Sequence, residues 1–324
     1  MNGAQALWVT ARERAEIRET RVPERGASEV RVRTLYSAVS RGTEALVFRG
    51  SVPESEQRRM RCPHQEGDFP WPVKYGYSSV GRVLEGPDAL RDRLVFCLYP
   101  HQTSYVVPES AVIPLPDGVP PERAVLAANL ETCVNACWDA PALVGDRVSI
   151  VGAGVIGSLM AFLIGRVAGV ELELIDVADR TRIAERFGAR FCTPERASRD
   201  RDLVIHASAT PSGLGTALEL AATDATVLEL SWFGRDVIGV RLGGAFHVRR
   251  LALRASQVGT VSPGARRRFD HRARLALALA LCADPRLDSL FADDIDFAQL
   301  PRAMAELCGA ESAGIGACQR VRYP

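Results

Sequence analysis

Between residues 147 and 157 three glycines stand where an apolar strand gives way to an apolar helix. Arg147-Val148-Ser149-Ile150-Val151 leads into Gly152-Ala153-Gly154-Val155-Ile156-Gly157, and an apolar stretch continues to Ala168. Glycine at the first position permits a tight turn. At the second it lets the backbone approach a ligand, and at the third it lets helix and strand pack closely. Val155 and Ile156 open the helix, whose free N–H groups and positive end suit phosphate. The chemistry this spacing serves is retention of a dinucleotide diphosphate. Asp176 adds to it, ending the next strand (Leu172 to Asp176) 19 residues after Gly157. A carboxylate there accepts hydrogen bonds from the adenosine ribose 2′-OH and repels a 2′-phosphate. NAD(H) is therefore expected over NADP(H), a preference that Arg180 and Arg182 reduce slightly. The bland alternative is a glycine turn in a sheet domain that holds no cofactor.

The elements around this motif fall into two regions. Residues 1–120 read as β-rich, with short apolar runs (Ala6 to Val9, Glu29 to Arg33, Ser79 to Val83) between Pro and Gly signals. Residues 51–72 are polar and rich in Pro and charge, the composition of a loop or lid. From residue 121 strands and helices alternate. Strands are expected at Arg147–Val151, Leu172–Ile175, Leu203–Ile205, Val227–Leu230 and Leu251–Ala255, with helices at Gly157–Ala168, Leu214–Ala222 and Leu275–Cys282. That alternation predicts an α/β fold with a doubly wound parallel sheet over 121–285. Residues 286–324, with a helix and closing strand within Phe297 to Tyr323, complete the first region.

Composition narrows the partners. The chain has 324 residues, 47% hydrophobic and 24% charged, with 40 basic against 39 acidic side chains. A net charge of +1 makes no case for nucleic acid or a membrane surface. No apolar stretch reaches the length of a bilayer span and no signal-peptide pattern opens the chain, so a cytoplasmic protein acting on a small molecule is expected. The 8 cysteines form no C-x-x-C pair and read as buried, reduced thiols.

With the glycine motif sited behind a β-rich region, the chain resembles the medium-chain dehydrogenase/reductase superfamily. The resemblance runs through Val22-Pro23-Glu24, Ser40-Arg41-Gly42-Thr43-Glu44, Tyr75-Gly76-Tyr77-Ser78-Ser79-Val80-Gly81, Tyr105-Val106-Val107-Pro108 and Leu115-Pro116-Asp117-Gly118. It implies a Rossmann domain beside a GroES-like catalytic domain. Zinc-dependent members carry Cys-Gly-Thr-Asp at Arg41 to Glu44 and Gly-His-Glu at Gly76 to Ser78; the third ligand position falls near Ala128. Here none of these is a zinc ligand, and no four-cysteine lobe follows Phe96, so no zinc is expected. Ser-x-Gly-Thr-Glu and Gly-Tyr-x-Ser-Val-Gly are similar to segments of the bacteriochlorophyllide hydroxyethyl dehydrogenases, which oxidise a secondary alcohol on a large conjugated ring.

Without a metal, hydrogen-bond donors must polarise the carbonyl or alkoxide oxygen. Tyr77 stands at the lost histidine's position, where Lys74 would lower its pKa if a loop brought the two together. Thr43 matches a proton-relaying hydroxyl. Arg41 would bind an anion or else pair with Glu44. His101 follows Tyr99-Pro100 in the family's substrate region. For the cofactor, the resemblance adds Thr132, Ala209, Thr210, Ser231, Trp232 and Arg320, the last on the diphosphate. His206 and Glu131 read as structural. The expected activity is NAD(H)-dependent, zinc-independent interconversion of a secondary alcohol and a ketone on a bulky substrate. A zinc-free enoyl or quinone reductase and a catalytically silent NAD-binding protein stay open. Relatives dimerise through edge strands, which would fall at Leu251 to Val261.

Overall fold

The computed structural model describes residues 3–309 and 317–324. The chain divides into two compact units, Met1–Ala128 with Leu279–Pro324, and Asn129–Ala278. In the first unit the order is β1 (Gly3–Ala11), β2 (Arg14–Arg21), β3 (Glu29–Val39), α1 (Arg41–Phe48), β4 (Glu66–Gly67), β5 (Val73–Lys74), β6 (Ser79–Glu85), β7 (Leu94–Cys97), β8 (Ser104–Pro108), β9 (Val112–Pro114) and α2 (Pro121–Ala124). In β3 the period of two puts Val30 and Val32 fully inside while Arg31 and Arg33 turn outward. They join Val83, Val95, Tyr105, Val107 and Val112 in one core, each buried aliphatic side chain contributing about 1.5–3 kcal/mol. β2 escapes the sequence reading because RAEIRETR offers no buried face: its residues are half-buried or exposed.

The second unit runs α3 (Ala127–Asp139), β10 (Arg147–Val151), α4 (Val155–Ile164), β11 (Glu171–Ile175), α5 (Thr181–Arg186), β12 (Arg190–Cys192), β13 (Arg201–His206), α6 (Pro211–Leu220), β14 (Ala221–Glu229), β15 (Ala252–Ala255) and α7 (His271–Leu281). Its six strands lie in the order β12-β11-β10-β13-β14-β15, all parallel. The sequence missed β12, which has three residues. It also carried a helix to Ala222, whereas α6 ends at Leu220 and Ala221 opens β14. Buried Arg274 fastens this unit: it binds Glu131 at 3.0 Å, Asn135 at 2.6 Å and the Val258 carbonyl at 2.5 Å. Glu131 is accordingly a structural partner.

The chain then returns to the first unit with β16 (Ile295–Asp296), α8 (Leu300–Cys308) and β17 (Gln319–Arg322). Residues 310–316, within the expected closing segment, lie outside the described residues. β17 pairs with β3 in a seven-stranded sheet ordered β16-β17-β3-β6-β7-β9, with β8 also on β3; β2-β1-β5-β4 form a second sheet. All eight cysteines are free. Among the described residues no helix is long and apolar enough to cross a membrane.

Candidate functional site

In the Asn129–Ala278 unit, the glycine motif lies between the carboxyl end of β10 and α4. Gly152 takes φ +104, a region that disfavours any side chain. A Cβ at Gly157 would fall 1.8 Å from the Gly152 carbonyl oxygen, so a larger residue would push the helix off the turn. Gly154 caps α4, and a Cβ there would meet open space. Val155 and Ile156 form the first turn, presenting N–H groups to that space.

Asp176 follows β11 directly. Its Oδ2 accepts the Ala153 N–H at 2.7 Å and its Oδ1 the Ala178 N–H at 2.9 Å. The carboxylate thus pins the glycine turn as well as standing where a ribose is expected. β10 and β13 are neighbours whose following connections leave on opposite sides, the switch point where ligands of such sheets bind. Beyond β13, Ala209 (φ +54) and Thr210 are exposed; Thr210 caps α6 by accepting the Gly213 N–H at 3.1 Å. Ser231 and Trp232 follow β14 half-buried, and Thr132 is half-buried on α3. His206 is fully buried, with Nδ1 2.7 Å from Glu229 and Nε2 2.7 Å from Ser208 Oγ.

In the other unit, Arg41 and Thr43 lie in the first turn of α1. The Tyr77 side chain is half-buried and hydrogen-bonded to the side chains of Ser40 and Thr43. Burial, reinforced by the Glu44 carboxylate, pushes its hydroxyl above the ordinary phenol value of 10. Lys74 does not lower it. Residues 75–78 are indeed not strand, but the Lys74 ammonium is fully buried, bound to Glu66 and, at 2.6 Å, to Gln102 Oε1.

His101 is brought close to these groups, though buried. Its Nε2 lies 3.0 Å from Glu44 Oε2 and its Nδ1 2.8 Å from Ser37 Oγ, which continues to the Tyr323 hydroxyl at 3.0 Å. Only 1% of His101 and 3% of Glu44 is exposed, so substrate reaches neither ring nor carboxylate directly. Glu44 Oε1 also accepts the Ser40 N–H at 2.7 Å. A Cβ at Gly76 would sit 2.9 Å from the His101 ring, so the Gly76-Tyr77 step makes room for the imidazole. Arg320 binds Asp294 at 2.6 Å and the Glu122 carbonyl at 3.0 Å, and lies over Phe291.

Sequence reasoning singled out Thr43, Tyr77 and His101, which the fold gathers, but missed Glu44, Ser37 and Tyr323 as partners. Contacts separated by 57, 64 and 286 residues leave no local signal. As to a metal, a guanidinium and a phenol stand at two of the expected ligand positions and Ala128 at the third. Among the described residues no group of three or more His, Cys, Asp or Glu side chains is arranged to hold an ion. The donor set does not fit a catalytic zinc.

No protein-family model matches the chain. A D-guloside 3-dehydrogenase of Escherichia coli (strain K12) is 26% identical over 251 residues, covering 68% of this chain and 71% of that protein. Among solved structures, L-idonate 5-dehydrogenase from Escherichia coli K-12 superposes with a TM-score of 0.78 at 15% identity, over 99% of this chain and 98% of that one. An alcohol dehydrogenase from Escherichia coli CFT073, complexed with NADH, does so with a TM-score of 0.75 at 15% identity, over 100% and 99%. These likenesses, together with the strand order, establish the fold: a Rossmann unit and a β-rich GroES-like unit.

Proposed function

We propose that this protein is an NAD(H)-dependent, zinc-independent oxidoreductase that interconverts a secondary alcohol and a ketone carried on or beside a ring. One observation carries the reading: a glycine turn and Asp176 meet at the switch point of a six-stranded parallel sheet. That arrangement offers N–H groups to a diphosphate and a carboxylate to a ribose. Structural neighbours solved with NADH and with NADP, and the dehydrogenase names of the relatives, support a nicotinamide cofactor in general. The guloside relative favours a ring-borne alcohol.

On this reading hydride passes between the carbinol carbon and the nicotinamide while a proton passes to or from the oxygen. Tyr77 supplies the proton in reduction. Its raised pKa keeps it protonated at neutral pH, and Ser40 and Thr43 hold its hydroxyl. Arg41, in the same helical turn as Thr43, is assigned to an anionic group of substrate or cofactor. Glu44 and His101 stand behind, sustaining the polar environment from within the core. No step needs a metal.

The test is direct. Purified protein is titrated with NADH by fluorescence, then assayed with NADH and a panel of cyclic and aryl ketones. Micromolar binding and turnover of at least one ketone are expected. Tight binding with no turnover on alcohols, ketones, enones or quinones would leave only a silent binder.

A further inference from the structure

Ser40 stands at a helix start, yet its hydroxyl does not cap the helix. Just before α1, a serine ordinarily turns its side-chain oxygen to the backbone N–H two or three residues on. Ser40 makes no bond of that kind. Its side chain is hydrogen-bonded to the Tyr77 hydroxyl instead, beside that of Thr43.

The start of α1 is held by other means. Glu44 Oε1 reaches back to the Ser40 N–H at 2.7 Å, and the Glu44 N–H meets the Ser40 carbonyl at 2.9 Å. This is the reach-back bond of a capping box made one position later, with the hydroxyl half left out. The other oxygen of Glu44 lies 3.0 Å from His101 Nε2, and both side chains are buried. The clamp is therefore shut away from water and fixes the Ser40 backbone at its N–H and its carbonyl. Rotation about χ1 is what remains to the hydroxyl, and that rotation sets it on Tyr77.

What the hydroxyl does there follows from the proton count. In reduction the hydride of NADH goes with its electron pair to the carbonyl carbon, and the Tyr77 proton goes to the oxygen. The phenol O–H bond breaks, the alcohol O–H bond forms, and a phenolate and NAD+ remain; water later returns the proton. A neutral phenol can donate or accept, so before transfer its bond to Ser40 has no required sense. A phenolate only accepts. Whichever way the Ser40 and Thr43 hydroxyls point beforehand, both must then donate to it. Burial and the Glu44 carboxylate oppose a charge on that oxygen, whereas the Ser40 and Thr43 bonds favour it.

We propose that Ser40 is a positioning residue for the proton donor: its hydroxyl, released from helix capping by Glu44, stabilises the phenolate that Tyr77 becomes as the ketone is reduced. This rests on the function proposed above. The test compares ketone reduction, NADH binding and urea unfolding in the wild type, Ser40→Ala, Ser40→Thr, Tyr77→Phe and the Ser40→Ala/Tyr77→Phe double variant. Ser40→Ala is expected to lower kcat about ten- to hundredfold, the loss of a hydrogen bond to a charged group, with KM and NADH affinity within about twofold. Its urea midpoint stays at the wild-type value, because no cap is lost. Ser40→Thr keeps a hydroxyl and restores kcat to within about threefold. On the Tyr77→Phe background Ser40→Ala costs nothing further, since no phenolate forms. A Ser40→Ala kcat within about twofold of wild type overturns the proposal. So does a lowered midpoint with an equal kcat loss on both backgrounds, the mark of an ordinary cap. Should Ser40→Ala fail to fold, Ser40→Gly decides, because helix starts tolerate glycine: the same kcat loss upholds the proposal and a wild-type kcat overturns it. A wild type that reduces no ketone, or a Tyr77→Phe variant as active as wild type, removes the function proposed above and this inference with it. An unchanged Ser40→Ala beside an impaired Tyr77→Phe removes the inference alone.

Discussion

Replacing Asp176 with asparagine separates recognition from scaffolding at the dinucleotide turn. Each carboxylate oxygen accepts one backbone N–H, from Ala153 at 2.7 Å and Ala178 at 2.9 Å. Asparagine retains one acceptor and sets an NH2 group against the other N–H. One charge-assisted bond is lost and a donor faces a donor, a cost of about 1.5–3 kcal/mol in stability. The same change removes the charge that opposes a 2′-phosphate. Two unit charges 4 Å apart near a protein surface repel by about 4 kcal/mol. Arg180, Arg182 and salt reduce that to about 2–3 kcal/mol, or roughly 30- to 150-fold in favour of NADH. In the variant, NADH should bind about tenfold more weakly and NADPH more tightly, bringing the two within roughly threefold. Fluorescence titration with both nucleotides, alongside urea unfolding, measures the two effects separately. If stability falls as calculated while the NADH-to-NADPH ratio keeps its wild-type value, Asp176 only fastens the turn and the assignment of the ribose to it is wrong.

Further outcomes follow from the same structure. Tyr77→Phe should lower kcat for ketone reduction about 10²- to 10³-fold with NADH affinity unchanged, measured by steady-state kinetics; a kcat within about threefold of wild type excludes the phenol as donor. Because burial and Glu44 hold the Tyr77 hydroxyl above 10, the reduction rate should stay level up to that value and fall only beyond it. Glu44→Gln removes the second cause, so the alkaline limb should move to lower pH; an unmoved limb disconnects Glu44 from Tyr77. Against the upward push of burial, the Ser198 hydrogen bonds and Arg190 hold the Glu173 carboxyl below 4.5. Its stabilisation is therefore present above 4.5 and lost as pH falls through the depressed value. Glu173→Gln should cost about 2–3 kcal/mol at neutral pH and nothing in strong acid, read as urea midpoints across pH. Finally, prolonged chelation should leave activity intact and elemental analysis should find zinc far below one equivalent; loss of activity restored by zinc would restore a metal to the mechanism.

How much of this was legible depends on whether a signal is local. The glycine turn is local: three glycines fall within six residues, and two of them, Gly152 and Gly157, answer a steric demand of the turn itself. β13 was legible because a parallel strand buried on both faces reads as a continuous apolar run, Leu203-Val204-Ile205, whereas β10 and β11 showed interrupted runs, with Ser149 and Glu173 among their buried residues. β2 was not, since it carries alternating charges on a solvent-facing hairpin, and β12 was too short to show a period. The polar networks were illegible for a different reason. His206 looked like a satisfied core histidine, and it is buried. What satisfies it, though, is a carboxylate 23 residues away on the neighbouring strand, which only the register of β13 against β14 brings opposite. Lys74 misled in the opposite sense. Sequence proximity suggested Tyr77, yet a fully buried ammonium requires a carboxylate, and Glu66 on the adjacent strand β4 provides it.

On the proposed function, a phenol in place of a metal makes the two directions of the reaction unequal. A zinc ion polarises oxygen whether the bound species is an alcohol or a ketone. Tyr77 gives up its one proton most readily when an alkoxide is forming, which is the reductive direction. To work as a base in oxidation it must first ionise, and each unit by which its pKa exceeds ambient pH costs about 1.36 kcal/mol, or tenfold in rate. Burial and Glu44 both raise that cost. If Glu44 served oxidation, a carboxylate beside the phenol would be the wrong neighbour and a cation the right one; the chain's single lysine, three residues away, is neutralised by Glu66 instead. On the proposed function, the electrostatics around Tyr77 favour an acid over a base near neutral pH.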